Sequence, residues 1–75
     1  MTAADLTHPH FTTRDAFERA LNHLSDIELH TVLAAMANLA YASVAYNDLD
    51  FGAECSARHD LVDDEIERRM ARHRR

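Results

Sequence analysis

Residues 26–46 read DIELHTVLAAMANLAYASVAY, and this stretch decides the fold. It is the longest apolar segment of the chain, with neither Gly nor Pro. Leu29, Leu33, Met36, Ala40 and Ser43 step by four and three, the spacing of one helix face. Val32, Met36, Leu39, Ser43 and Tyr46 form a second, adjoining stripe. Together they predict a long helix whose apolar face is wider than one neighbour can cover. Ser25 followed by Glu28 is a capping box, and Asp26 and Glu28 place acids in the first turn, so the helix should start there.

On the C-terminal side, Asn47-Asp48-Leu49-Asp50 follows the apolar run directly and is rich in turn-forming residues. A loop is expected at 47–49, with Asp48 or Asp50 capping another helix that runs to about His73. In it Gly52, Cys55, His59, Val62, Ile66 and Met70 recur at close to a heptad spacing. That seam is small near the turn and larger further out. The preceding helix is likewise small near the turn (Ala40, Ala42, Ala45) and large at its start (Leu29, Leu33, Met36). An antiparallel hairpin matches small with small and large with large. It should bring Ala40 or Val44 to Gly52 or Cys55, and Leu29 or Leu33 to Val62 or Ile66.

This hairpin resembles a single tetratricopeptide-type repeat over about residues 33–66. Small residues line its first helix, an Asn-Asp-Leu-Asp turn follows, then a second helix. The Ala usual early in the second helix would be Gly52, and no second copy follows. Repeats of that kind stack in arrays of about three or more to bury a core. The resemblance implies a hairpin and nothing about a partner.

On the N-terminal side, Thr12 with Asp15 three residues later predicts a further helix start, with Phe11 as a staple against Ala16 or Phe17. The helix should reach His23 or Leu24, with Ala16, Phe17, Ala20, Leu21 and Leu24 on one side. It is too short to persist alone in water and must dock on the hairpin. Residues 1–11, with Pro9 and no helical period, read as a flexible arm. The expected architecture is all-α: one domain over 12–75, three helices, the short first one packed on a long antiparallel hairpin.

Seventy-five residues allow one small domain. Such a chain buries only about 60% of its unfolded surface, so a disulfide, a metal or self-association is the usual support. Cys55 is the only cysteine, which excludes an internal disulfide. The N-terminus has neither the basic nor the apolar region of a signal peptide. The apolar run, interrupted by Asn38 and Ser43, reads as a core helix and not a membrane span. The cytoplasm is the expected compartment. All eight basic residues are Arg, which with abundant Ala fits a GC-rich bacterial or phage genome. The net charge of −5 argues against general nucleic-acid binding.

Three features could carry chemistry. Cys55 and His59, one helical turn apart, are the best metal pair, but zinc wants three or four ligands and both lie on the apolar seam, where a thiol packs as a small hydrophobe. His8 and His10 flank Pro9 in the arm. No resident metal or cofactor is expected. Second, eight carboxylates and one base (Arg58) fall between Asp48 and Glu67. Paired helical carboxylates hold divalent ions in bundle hydrolases of the all-α nucleotide pyrophosphatase type. Those need acids on the facing helix, and here that helix offers only Asp26 and Glu28, at its first turn. Asp64 and Glu65 stand four before Arg68 and Arg69, as exposed ion pairs do. Third, Arg68, Arg69, Arg72, Arg74 and Arg75 close the chain. They complement the helix dipole and could touch phosphate, but have no aromatic residues among them for stacking on bases. No Ser-His-Asp order, Gly-rich phosphate loop or CxxC pair occurs.

The expected function is non-catalytic binding of another protein by a small acidic regulator or inhibitor, as in an antagonist of a nucleic-acid-handling complex such as a CRISPR effector. The expected contact residues are Asp48, Asp50, Glu54, Asp60, Asp63, Asp64 and Glu67. Tyr41, Tyr46, Leu49 and Phe51 should stay partly exposed and support a homodimer. The competing readings are a metal-binding or metal-dependent hydrolase-like domain, using Cys55 with His59 or the Asp60–Glu67 carboxylates, and a DNA-associated regulator using the Arg tail.

Overall fold

The computed structural model describes residues 3–8 and 12–73. They form four helices: α1 (Ala3–Leu6), α2 (Arg14–Leu21), α3 (Asp26–Ala45) and α4 (Leu49–His73). No strand occurs among the described residues. α3 and α4 make the long antiparallel hairpin, α2 packs on α4, and α1 packs on α3.

The helix ends follow local chemistry. Ser25 and Glu28 form the reciprocal capping box: Ser25 N donates to Glu28 Oε1 at 2.9 Å, and Glu28 N to Ser25 Oγ at 3.1 Å. α3 stops because Asn47 takes a left-handed φ of 55°, which Asn tolerates better than most residues. Asp48 N then donates to the Ser43 carbonyl at 2.9 Å and Asn47 N to the Val44 carbonyl at 3.2 Å. These satisfy two carbonyls that the helix end would leave open. Asp48 caps α4 by accepting from Phe51 N at 3.2 Å.

The first cap differs from expectation. Thr13, not Thr12, is the N-cap of α2 and accepts from Ala16 N at 3.2 Å. The Thr12 carbonyl is instead held by Arg58 of α4, at 2.6 Å. The expected Phe11 staple lies outside the described residues, as do Pro9 and His10.

The core joins all four helices: Leu6, Phe17, Leu21, Leu24, Leu29, Val32, Met36 and Val62 are buried together, with Leu33, Leu39 and Ile66 half-buried against them. Residues 3–8 therefore correct the reading of the N-terminus as an arm without helix. Leu6 is fully buried, and burying a leucine contributes about 2 kcal/mol. A four-residue helix shows no sequence period, so only the packing reveals it.

The turn end of the hairpin is closed by shape. A Cβ on Gly52 would collide with Ser43 Oγ and lie 3.2 Å from Ser43 Cβ and 3.8 Å from the Ala40 carbonyl. The close approach expected at Gly52 is thus made with Ser43 and Ala40, whereas Val44 points to solvent. One other expected seam position is corrected: Met70 is 51% exposed because α4 outruns the start of α3. Tyr46, past the last helical residue, is 84% exposed.

Candidate functional site

The inner seam of α4 carries charge as well as apolar groups. Gly52, Cys55, Arg58, Val62 and Glu65 are its buried residues. Arg58 stands three after Cys55 and four before Val62, and Glu65 stands three after Val62. Both fit the heptad spacing, so position marked them and residue type alone argued for exposure.

Arg58 ties α4 to the start of α2, and Glu65 holds the Arg69 that ties α4 to the end of α2. Arg58 is 3% exposed. Its Nη2 donates to the Thr12 carbonyl, and its Cζ lies 5.1 Å from the centre of the Phe17 ring. Its Nε is 3.4 Å from Glu54 Oε2, within ion-pair range but not directed as a hydrogen bond. Nη1 is also without a hydrogen-bond partner. Arg14 of α2 donates twice to the same Glu54 oxygen, at 2.9 and 3.1 Å. Burial pushes the Glu54 carboxyl up, but Arg14 and Arg58 outweigh it and hold the group below its ordinary value.

Nearer the open end, Glu65 is 2% exposed. It accepts from Arg69 Nε at 2.8 Å and from Arg68 at 2.9 and 3.3 Å. Arg69 also donates from Nη1 to Asp26 at 2.9 Å and from Nη2 to the Leu21 carbonyl at 3.1 Å. One guanidinium thus joins α4 to the last turn of α2 and the first turn of α3. Burial pushes the Glu65 carboxyl up, and Arg69 and Arg68 more than compensate, leaving it low. The hydrogen bonds to Glu65 and Asp26 raise Arg69 further. The expected Glu65–Arg69 pair forms, but inside the protein and not on its surface, and the expected Asp64–Arg68 pair gives way to Arg68 on Glu65. Arg69 leaves the Arg tail for the same reason. Arg72 is exposed, and Arg74 and Arg75 lie outside the described residues.

The outer face of α4 is different. Asp60, Asp63, Asp64 and Glu67 are exposed and spaced i, i+3, i+4 and i+7, which places them on one face away from the core. Among the described residues only Asp60 of these has an ion-pair neighbour: His59 Nδ1 is 3.4 Å away. Asp50 is exposed in the first turn and Asp48 is exposed at the cap. Glu54 does not belong with them, because its carboxylate faces Arg14 and Arg58 between α4 and α2. Beside the acidic face a shallow hollow is lined by Asp63, Ile66, Glu67, Met70 and Ala71.

The apolar surface lies on α3 and the turn. Tyr41 is 83% exposed, Tyr46 84% and Leu49 69%, as expected. Phe51 is half-buried, so it too stays partly exposed as expected. By length and composition α3 could also cross a bilayer, although its inner side carries Leu29, Val32 and Met36 of the core.

The metal candidates do not converge. Cys55 is fully buried, and burial pushes its thiol up. His59, on the next turn, is turned toward Asp60. Among the described residues no three His, Cys, Asp or Glu side chains gather closely enough to hold a metal ion. No family model, curated protein or solved structure matches the chain. The likeness of residues 33–66 to a tetratricopeptide-type repeat therefore carries nothing beyond the hairpin.

Proposed function

We propose that the protein is a non-catalytic binding module whose α4 outer face meets a basic surface on another protein. The observation that carries this reading is the stripe Asp60, Asp63, Asp64 and Glu67. These carboxylates share one exposed helix face, and among the described residues Asp63, Asp64 and Glu67 have no ion-pair partner. The acids that hold the fold together, Glu54 and Glu65, are others. A face with its own charge and no internal duty is free to be read by a partner. Its field acts mainly on association rate and weakens as salt rises. A nucleic-acid-handling complex, whose basic groove this protein would compete for as an antagonist of a CRISPR effector does, is the partner class this charge fits.

The test compares two triple variants against a partner captured with the parent protein. Asp60→Asn, Asp63→Asn and Asp64→Asn together should keep the helical signal and slow association about tenfold or more at low salt, with the difference shrinking as salt rises. Arg72→Gln, Arg74→Gln and Arg75→Gln together should change the rate little. A parental rate for the acidic variant with a large loss for the arginine variant would replace this reading with nucleic-acid binding through the tail.

A further inference from the structure

The exposed side of α3 carries a second heptad seam that none of the described residues covers. Ile27, His30, Ala34, Ala37, Tyr41 and Val44 are all exposed and step by three, four, three, four and three. This is the spacing that keeps a facing helix in register over its whole length. Ile27 is 80% exposed, Tyr41 83% and Val44 69%. No Asp, Glu, Arg or Lys occurs from residue 29 to 47, whereas the outer faces of α2 and α4 are charged. Depletion of charge around an aromatic anchor is the compositional mark of an interface centre.

We infer that this face pairs with the same face of a second copy, α3 against α3 in antiparallel orientation. The seam reads the same from both ends in kind of side chain. About its midpoint, between Ala34 and Ala37, Ile27 answers Val44, His30 answers Tyr41, and Ala34 answers Ala37. A two-fold interface needs this property, since each residue must suit the partner's residue that it meets. An antiparallel pair stacks β-branched aliphatic on β-branched aliphatic and ring on ring at its ends. At its centre it stacks Ala on Ala, which lets the helices approach closely. Tyr41 can bury about 150–250 Å² in each copy. With Ile27 and Val44 it gives a small, charge-free interface below the roughly 800 Å² per partner that stable interfaces use, a size at which association is weak and reversible. This inference does not depend on the acidic face of α4, which stays exposed in such a pair.

Sedimentation of the full chain over a concentration series tests it. The parent should run at twice its chain mass of 8.5 kDa at about tens of micromolar and above, the affinity of a weak, reversible pair. Ala34→Arg and, separately, Tyr41→Glu should raise the dissociation constant about 30-fold or more with the helical signal unchanged. Orientation is read by crosslinking in a Cys55→Ala background. Mixed Ile27→Cys and Val44→Cys chains should link to each other under mild oxidation, and neither should link efficiently to itself. A parent that stays monomeric throughout, a dimer indifferent to both substitutions, or like-to-like crosslinks would overturn the inference. So would a monomer that sediments with phosphatidylcholine vesicles and loses this with Ala34→Arg, because the face would then meet lipid and not a second copy.

Discussion

The two ends of the hairpin are closed by different means. At the turn, α3 and α4 are joined through a few residues, and the approach is governed by shape: Gly52 against Ser43 and the Ala40 carbonyl, without a charged group between them. At the open end no connection joins α3 to α4, and α2 enters α3 through a tight corner at Asn22 to Ser25. There the closure is electrostatic: Arg69 holds Glu65, Asp26 and the Leu21 carbonyl together. Where the chain itself keeps two helices near each other, small side chains suffice. Where three helix ends must be gathered, a guanidinium with its fixed fork of donors reaches all of them at once.

Breaking the open end should have the largest effect. Arg69→Ala leaves Glu65 with Arg68 alone and frees the Leu21 carbonyl. We expect a loss of about 3 kcal/mol by urea unfolding, at the low end of the range for a broken buried pair because Asp26 is largely in water. A loss below about 1 kcal/mol would mean that the clamp decorates an end already held by Leu21 and Leu29.

This end and the Arg14–Glu54 contact should both respond to acid. Glu65 and Glu54 are held below the ordinary value of 4.5, so their contribution is complete above that pH and fades as pH falls through the lower values of the folded state. Stability measured by denaturant between pH 7 and 2.5 should therefore drop below about 4.5. Glu65→Gln should be less stable at neutral pH and show a shallower drop. An identical acid profile in the variant would assign the acid sensitivity to Glu54 and Glu28.

At the turn end, Gly52→Leu should destabilise by about 1–3 kcal/mol through overpacking, read as a lower melting temperature. Combined with Arg69→Ala the two losses should add to within about 0.5 kcal/mol, because the sites share no partner. Strong non-additivity would show that the ends are one unit after all.

The smallest effect is expected between the ends. Arg58 is buried with Nε and Nη1 lacking hydrogen bonds, and Arg14 would still hold Glu54 if it were removed. A well-packed apolar replacement for such a group is often neutral. Arg58→Met should change stability by less than about 1 kcal/mol, measured by the same unfolding. A loss like that of Arg69→Ala would give the stacking on Phe17 and the bond to the Thr12 carbonyl a larger share than their geometry suggests.

Much of this was legible in the residues. The period of Asp26–Tyr46, the Ser25–Glu28 box and the Asn47–Asp48 turn are local signals, and local chemistry also closes them in the structure. The acids on the outer face of α4 could be located because Val62 and Ile66 claim the inner one. The misread positions share a cause. Arg58 and Glu65 stand at seam spacing, but their burial depends on distant parts of the chain: Arg58 on the Thr12 carbonyl directly, and Glu65 on Arg69, which reaches Asp26 and the Leu21 carbonyl. Thr12 lost the cap for the same reason, its carbonyl being claimed from α4. Among the seven expected contact acids, Glu54 dropped out because Arg14 reaches it from forty residues away.

The sequence by itself therefore determined the all-α class, the hairpin and its direction, because helix period, caps and turn residues act within a few residues of one another. Only the tertiary structure decided which charges face inward, that Leu6 belongs to the core, and which side of α3 is left uncovered. Those outcomes depend on which surfaces meet, and a buried charge or an exposed aromatic is defined by its neighbours in space.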